Sequence, residues 1–367
     1  MESARRPAAA PLPHRLLLAA LLLVGAAACG ADASDDVLAA DPFTAAIPGE
    51  QMLALAAAED GSVTQGLGAD ANDVASLGRA TMRRLDDLRG DTHAAIRRLV
   101  AGATPTEITR GNLTCRVWEA DATQLHWQLV SCRVDARRDR YGFVLRGRPL
   151  ASTAEADDLP VFAGEGARLP DFDGARRGAG RVGYNFDHLA TLTGVDAGGQ
   201  LGLGYRVAGR ARQLLLGLRD VHGPDATEAT TALFRFGQVL GVGGRFVFLA
   251  GDDFLTRDAG DELVQGQDGI DELARVAMAW NAAGAARTLA TACGGTVGEG
   301  SCVHVAQCWT AGGDATHAEV SVDAPVWNET ACPALTVEEV PGDEAPGSEN
   351  DESGAPVIEE PAPSDEE

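Results

Sequence analysis

The sequence contains no lysine, and all thirty of its basic residues are arginine. Together with the abundance of alanine and glycine, this indicates the codon usage of a GC-rich genome. The motifs of serine hydrolases, zinc proteases and P-loop proteins are missing, and the histidines share no spacing. The net charge of −24 argues against nucleic acid as a partner, because such proteins carry a basic surface. We predict no catalytic residue, no cofactor, no metal ion and no nucleic-acid partner.

The longest apolar run, residues 16–24, belongs to an N-terminal export signal and is too short to span a bilayer. Arginines precede the run, and small residues follow it up to Cys29. Small residues directly before a cysteine resemble the lipobox of bacterial lipoproteins. The resemblance implies cleavage after residue 28, a lipid on the Cys29 thiol and a membrane anchor in the cell envelope. Ala26 stands where the family most often has leucine. Because Ala26 and Ala28 also fit the ordinary A-x-A cleavage rule, plain secretion is the alternative.

The cysteine count supports lipidation. The chain has seven cysteines, and an odd number in an exported protein leaves one unpaired. If Cys29 carries lipid, six cysteines remain for three disulfides: Cys115, Cys132, Cys293, Cys302, Cys308 and Cys332. Cys115 and Cys132 lie 17 residues apart on neighbouring predicted strands and are expected to pair with each other. The other four cysteines then pair among themselves, in one of three ways.

A zinc site is the alternative for the C-terminal cysteines. Cys293, Cys302, His304 and Cys308 have the spacing C-x8-C-x-H-x3-C. Structural zinc sites usually have paired C-x2-C knuckles, and thiols are oxidised in exported proteins, so disulfides are favoured.

Hydrophobic periodicity divides the body of the chain into helices and strands. Apolar residues three and four apart predict an amphipathic helix over about 72–100. From 113 to 250 the period is two, with Gly- and Asp-rich breaks that predict short antiparallel strands. Strand-like runs recur at 303–306 and 318–323, and a second helix is predicted over 268–281. The apolar face of that helix would consist of Ile270, Leu273, Ala274, Ala277 and Trp280.

These patterns predict an α+β, β-rich fold. It is a curved antiparallel meander, half-barrel or barrel-like, with an N-terminal amphipathic helix, a C-terminal helix packed on the sheet and disulfide staples. We expect a signal peptide over 1–28, a lipid-anchored flexible tether over 29–68, a single β-rich domain over 69–335 and a disordered acidic tail over 336–367. From residue 337 onwards the tail has twelve acidic residues and no basic one, which disfavours a packed core.

Local motifs for known chemistry do not fit their context. Residues 178–183 match G-x-G-x-x-G, but a strand pattern follows where a dinucleotide site needs a helix. Residues 171–174 resemble part of a calcium loop, but Leu169 and Gly180 occupy positions that require acids, so a β-turn is predicted. Asp187 and His188 are adjacent on a predicted strand, where neighbours point to opposite faces.

In its export signal and composition the chain resembles lipoproteins of GC-rich Gram-negative bacteria, and that resemblance carries no activity. The leading hypothesis is a membrane-anchored binding or structural module. An acyl chain or other apolar ligand would occupy the concave face of the sheet if side chains do not fill it. The alternative is an adhesion or assembly module with a filled core that contacts protein partners through its loops and acidic tail. A secreted hydrolase is the least favoured hypothesis.

Overall fold

The structure is a computed structural model. It describes residues 36–53, 92–136, 139–222, 229–252, 255–257, 263–265, 269–283, 285–310 and 315–322. Cys29, Cys332, the predicted signal peptide and the predicted acidic tail lie outside the described residues. The part of the predicted N-terminal helix before residue 92 lies outside them as well.

In the described part of the chain, four helices precede a long series of strands, and a fifth interrupts that series. The helices are α1 (Asp36–Ala39), α2 (Pro42–Ala45), α3 (Glu50–Leu53), α4 (92–102) and α5 (Phe186–Thr193). The strands are β1 (Thr106–Arg110), β2 (Leu113–Ala122), β3 (Leu125–Asp135), β4 (Arg140–Pro149), β5 (Leu159–Phe172), β6 (Ala175–Asn185), β7 (Gly198–Ala208), β8 (Ala211–His222), β9 (Thr230–Val239), β10 (Gly243–Asp252), β11 (Leu255–Arg257), β12 (Leu263–Gln265), β13 (Glu272–Asn281), β14 (Ala286–Gly294), β15 (Gly298–Trp309) and β16 (Ala315–Val322). Two 3-10 turns lie at Glu155–Asp157 and Gly295–Val297.

Fourteen of these strands form one antiparallel sheet in which each strand pairs with its neighbours in sequence. The exception is the pairing of β10 with β13, because β11 and β12 form a separate two-stranded hairpin. Alternating apolar and polar residues with short turns between them produce this order, since consecutive antiparallel strands need only brief connections. Between β5 and β6, for example, Asp173 and Gly174 both have positive φ, which gives the β-turn predicted at 171–174. The predicted curved, β-rich meander is confirmed.

The two faces of the sheet differ in burial. Alternate side chains of β2 to β15 form the main hydrophobic cluster, and we call this side the core face. The opposite side, the outer face, carries a smaller buried cluster of Cys115, Val117 and Val130. A strand with one buried and one solvated face requires this strict alternation, because successive side chains point to opposite sides.

Two disulfides join adjacent strands in register. Cys115 on β2 lies opposite Cys132 on β3 and is bonded to it, which is the pairing that the sequence predicts. Cys293 on β14 is bonded in the same way to Cys302 on β15. Cys308 is also disulfide-bonded. The zinc alternative therefore lacks its thiolate ligands in this state.

The chain between 36 and 53 packs against the core face. Leu38, Ile47 and Leu53 are fully buried in the main cluster. Asp41 caps α2, since its carboxylate accepts a hydrogen bond of 2.9 Å from the amide of Phe43. The prediction of a flexible tether over 29–68 is therefore wrong for residues 36–53. The sequence did not reveal this, because the apolar residues of the segment follow no regular period.

Helix α4 is the described part of the predicted N-terminal helix. Thr92, Ile96 and Leu99 are buried, as the apolar stripe predicts. His93 is buried beside them, although the stripe does not include it. The predicted amphipathic character is therefore correct over the residues that the structure describes.

The predicted C-terminal helix at 268–281 is wrong, because residues 272–281 form strand β13. Burial alternates along this strand: Ala274, Val276, Met278 and Trp280 are buried. Leu273, which the helix would have buried, is 56% exposed. An alanine-rich sequence fits both the helical period and the period of two of a strand. Pairing with β10 on one side and with β14 on the other stabilises the strand.

Asp187 and His188 do not lie on a strand, because Phe186 begins helix α5. The side chain of Asn185 caps this helix by accepting a 3.0 Å hydrogen bond from the His188 amide. Gly194 ends it in the left-handed conformation. The apolar alternation of β6 continues into the first residue of α5, which concealed the boundary.

Candidate ligand-binding face

The first half of the core face is covered by the chain's own segment 36–53. Three strands bind the backbone of this segment through side chains. Ser131 on β3 donates to the carbonyl of Phe43 at 2.6 Å. Arg176 on β6 donates to the carbonyls of Ala45 and Ile47 at 2.7 and 3.0 Å. Hydrogen bonds from several strands hold the segment in one register, because each buried carbonyl needs a donor.

Glycines make room for the same segment. A Cβ atom at Gly166 on β5 would lie 2.5 Å from the carbonyl oxygen of Ala46. At Gly178 on β6, a Cβ atom would lie 3.0 Å from the Cε of Met52. Gly178 and Gly180 belong to the G-x-G-x-x-G match, which lies inside β6. Their role here is close packing against neighbouring chain and not phosphate binding.

Two tyrosines complete the polar contacts of the covered half. The Tyr205 hydroxyl donates to the Ala46 carbonyl at 3.3 Å. Burial raises the pKa of Tyr205 far above its ordinary value, so the hydroxyl stays neutral. The Tyr184 hydroxyl lies 2.7 Å from Nε2 of His93 on α4. In the covered half, the hydroxyls of Tyr205 and Tyr184 therefore join the segment and helix α4 to the sheet through hydrogen bonds.

The second half of the core face, on β8 to β15, is lined by aromatic side chains. The rings of Phe234 and Phe248 have centroids 4.9 Å apart, and those of Phe236 and Trp280 are 6.0 Å apart. The Arg212 guanidinium lies 4.9 Å from the centroid of Phe236 and donates to Gln238 at 2.8 Å. Most of the side chains that line this half are aromatic or aliphatic, as in the binding sites of apolar ligands.

Three buried polar atoms on this half have no hydrogen-bond partner: Trp280 Nε1, Thr288 Oγ1 and Gln307 Oε1. They come from the neighbouring strands β13, β14 and β15. Thr288 is directly opposite Gln307 in the β14–β15 pairing. Trp280 and Thr288 are 3% and 1% exposed, so neither side chain reaches bulk water. A buried polar atom without a partner costs about 1–3 kcal/mol. Such a cluster marks a place where a ligand's polar group can be received.

On β14 and β15 the core-face positions beside Thr288 and Gln307 are uncharged, whereas Arg212 lies over Phe236 on β8 and β9 of the same face. On β13 the acidic residue is Glu272, at the far end of the strand and fully buried. Its carboxylate accepts hydrogen bonds from the amides of Leu255 and Thr296, at 3.0 and 2.8 Å. These bonds join β11 and the turn at Gly295–Val297 to the sheet, which is a structural role. A charged ligand group would find no opposite charge beside Thr288 and Gln307 on β14 and β15.

The cysteines predicted from the sequence do not belong to this face. The bonded pair Cys115 and Cys132 lies with the small cluster of the outer face. Among the described residues no group of His, Cys, Asp and Glu is arranged to hold a metal ion. No described helix is long and apolar enough to cross a membrane.

Sequence reasoning missed the three polar atoms. Trp280 was assigned to a helix face, and Thr288 and Gln307 were not singled out. Their signal is a polar residue on the apolar side of an alternating strand, and it becomes visible only once β14 and β15 have been recognised. No family model matches the chain, and neither a curated protein nor a solved structure is similar to it.

Proposed function

We propose that the chain is a lipid-anchored protein of the bacterial cell envelope that binds an apolar ligand with an uncharged polar group. The ligand would occupy the core face of β8 to β15. The observation that carries this proposal is the cluster of Trp280 Nε1, Thr288 Oγ1 and Gln307 Oε1, which are buried without partners in an aromatic surface. Because the cluster offers donors and acceptors without charge, an ester, amide or hydroxyl group fits it best.

The anchoring part of the proposal rests on the sequence around Cys29. The disulfide-bonded cysteines support an oxidising compartment, where exported proteins reside. A lipid on Cys29 would hold the chain at a membrane, and the apolar ligand would come from that membrane. The carrier would then exchange a neutral lipid between the bilayer and its own core face.

Mass spectrometry of the full chain, extracted with a mild detergent, tests the proposal. The denatured spectrum reports covalent lipid, and the native spectrum reports covalent lipid plus retained ligand. We expect an acylated chain whose native mass exceeds the denatured mass by one neutral lipid. A Cys29→Ser chain should lose the covalent mass and its partitioning into detergent. Identical native and denatured masses for every preparation would contradict the ligand.

Two variants locate the ligand on the core face. Diacylglycerol is titrated into the delipidated full chain, and intrinsic tryptophan fluorescence is recorded. Gln307→Leu should weaken binding about tenfold, since loss of a buried polar contact costs about 1–3 kcal/mol. The matched control is Gln128→Leu on β3, where the Gln128 side chain bonds Glu119 at an exposed position. The control should leave affinity unchanged, and equal affinity of both variants would exclude this site.

An assembly module is the second candidate, and exposed leucines favour it. Leu215, Leu233 and Leu249 on the outer face are 43%, 48% and 37% exposed. Exposed apolar side chains grouped on one surface often mark a protein contact. This candidate predicts a chain with no retained lipid and a stable partner in the native spectrum.

A further inference from the structure

The outer face of β9, β10, β13 and β14 is basic, although the chain as a whole is strongly acidic. Arginines occupy outward positions on all four strands, and no acidic residue does so there. The arginines are Arg235, Arg245, Arg275 and Arg287. Arg235 and Arg275 are exposed and form no ion pair within the part of the chain that the structure describes. Within the described part of the chain, the charges of Arg235 and Arg275 are therefore not balanced by an acidic side chain.

Exposed leucines alternate with these arginines. Leu249 on β10 lies opposite Leu233 on β9 and opposite Arg275 on β13. Leu215 on β8 lies opposite Arg235. We call the set the arginine–leucine face: Leu215, Leu233, Arg235, Leu249, Leu273 and Arg275. Leu273 is 56% exposed. Cross-strand neighbours are about 5 Å apart, so apolar and basic groups alternate over short distances.

The C-terminal segment has the complementary pattern. It holds twelve acidic residues and no basic one over 337–367. Within it, 337–340 reads Val-Glu-Glu-Val and 357–360 reads Val-Ile-Glu-Glu. Each of these short stretches places aliphatic side chains beside two carboxylates. The valine and isoleucine side chains are suited to pack on the exposed leucines. The glutamates are suited to form ion pairs with Arg235 and Arg275.

The segment is long enough to reach this face. The described part of the chain ends with β16 at Val322, and five strand spacings separate β16 from β9. At about 4.8 Å per spacing this distance is about 24 Å. The chain from 322 to 338 can span about 50 Å at roughly 3.3 Å per residue. Glu338 and Glu339 can therefore reach Arg235 within the same molecule, and Glu359 and Glu360 are far enough along the chain to reach it also when Cys332 is bonded in the C-terminal cluster.

We infer that the acidic C-terminal segment 337–367 docks on the arginine–leucine face of its own chain. Each exposed ion pair contributes at most about 1 kcal/mol, so the docking is weak and salt-sensitive. Tethering compensates, because it gives the segment a local concentration of about millimolar. The docked segment shields the leucines from other molecules, and a more acidic partner can displace it. Exposure of the leucines on the outer face then depends on competition between the C-terminal segment and a more acidic partner.

The absence of lysine provides a direct test. In the full chain, Arg235→Lys introduces the only lysine side chain and keeps the positive charge. A carbodiimide then joins this amine to a carboxylate in contact with it, and peptide mapping identifies the partner. We expect the main product to have monomer mass and to link residue 235 to Glu338, Glu339, Glu359 or Glu360. In 1 M salt, where the screening length is about 3 Å, its yield should fall at least about fivefold.

A matched control places the lysine elsewhere. Arg133 is exposed on another part of the sheet and bonds Asp139 at 2.6 Å. Arg133→Lys should link to Asp139 and not to the C-terminal segment. Equal linking of the segment to both positions would overturn the inference, since it would reflect indiscriminate contact. Links from residue 235 only to acids outside 337–367, or only in products of dimer mass, would also overturn it.

Discussion

Both halves of the core face contribute apolar side chains to the main hydrophobic cluster, but they differ in their polar groups. On β3 to β7, Ser131, Arg176 and Tyr205 all bond the backbone of segment 36–53. On β13 to β15, Thr288 and Gln307 are opposite each other with buried oxygens that lack partners. In the first half, the carbonyls of Phe43, Ala45, Ala46 and Ile47 are thus bonded within the chain. The second half contains buried polar atoms without hydrogen-bond partners, and the proposed ligand site rests on them.

The largest expected effect comes from disturbing the covered half. Gly166→Val would place Cβ 2.5 Å from the Ala46 carbonyl and 2.6 Å from the Tyr205 hydroxyl. Because the Ala46 contact is backbone, the segment must move, and we expect a loss of about 3 kcal/mol or more in the free energy of unfolding. Urea unfolding measures it. Gly204→Val on β7 is the matched control, since nothing lies within 4 Å of its Cβ position. Equal stability of the two variants would mean that the segment does not pack tightly.

The two described disulfides, one in each half of the sheet, allow a second comparison of the halves. Bonded cysteines are 17 residues apart in Cys115–Cys132 and 9 apart in Cys293–Cys302. Replacing each pair by alanine should cost about 3 and about 2.6 kcal/mol, because the longer loop restricts the unfolded chain more. Urea unfolding of the two double variants gives both values. A much larger loss for the second pair would show that the C-terminal half depends on its staple beyond this entropic effect.

Alkaline pH should destabilise the covered half selectively. The three tyrosines of the chain, Tyr141, Tyr184 and Tyr205, all lie on its core-face strands. Burial raises the pKa of Tyr205, so the folded chain keeps a proton that the unfolded chain loses near pH 10. The associated stability is complete below pH 10. Above it, the ionisation of Tyr205 in the unfolded chain lowers the free energy of unfolding by up to about 1.4 kcal/mol per pH unit.

Tyr205→Phe isolates this effect. The variant should show a shallower decline of unfolding free energy between pH 10 and 11. At pH 8, the difference in unfolding free energy between the variant and the parent chain reports only the lost hydrogen bond to the Ala46 carbonyl. An unchanged slope would mean that Tyr205 ionises in the folded chain as readily as in the unfolded one.

The smallest effects are expected from removing one hydroxyl group in each half of the core face. Ser131→Ala removes a bond to the Phe43 carbonyl and should cost about 1 kcal/mol or somewhat more. Thr288→Val removes an unpartnered hydroxyl from a fully buried site. In the ligand-free chain it should leave the free energy of unfolding unchanged or raise it by up to about 1 kcal/mol. If Thr288→Val destabilises as much as Ser131→Ala, then the Thr288 hydroxyl has a partner and the contrast between the halves disappears.

The features predicted well from the sequence depend on neighbouring residues. The strands around Leu125, Tyr141 and Leu214 were visible because alternation and turn residues are local properties. The pairing of Cys115 with Cys132 followed from two such strands and a short loop. The order of the meander then required only that consecutive strands pair.

The features that were missed depend on distant contacts. Residues 36–53 have little periodicity, and their structure comes from donors more than a hundred positions away, such as Arg176 and Tyr205. The strand at 272–281 was mistaken for a helix because its alanines fit both periods and only the flanking strands decide between them. His93 escaped notice because its partner, Tyr184, is 91 residues away. The candidate site also depends on distant contacts. Thr288 and Gln307 can be recognised as neighbours only from the register of β14 and β15.

The covering of the core face also sets an order of events during synthesis. Segment 36–53 leaves the ribosome before any strand of the sheet, yet its hydrogen-bond donors lie on β3, β6 and β7. Each sheet strand can pair with the preceding one as soon as it emerges, apart from the excursion of β11 and β12. Local pairings of this kind form quickly, whereas contacts between distant parts of a chain form slowly. The first described segment to be made can therefore be buried only after the first seven strands have formed, and until β7 is in place its apolar side chains are accessible to chaperones and proteases.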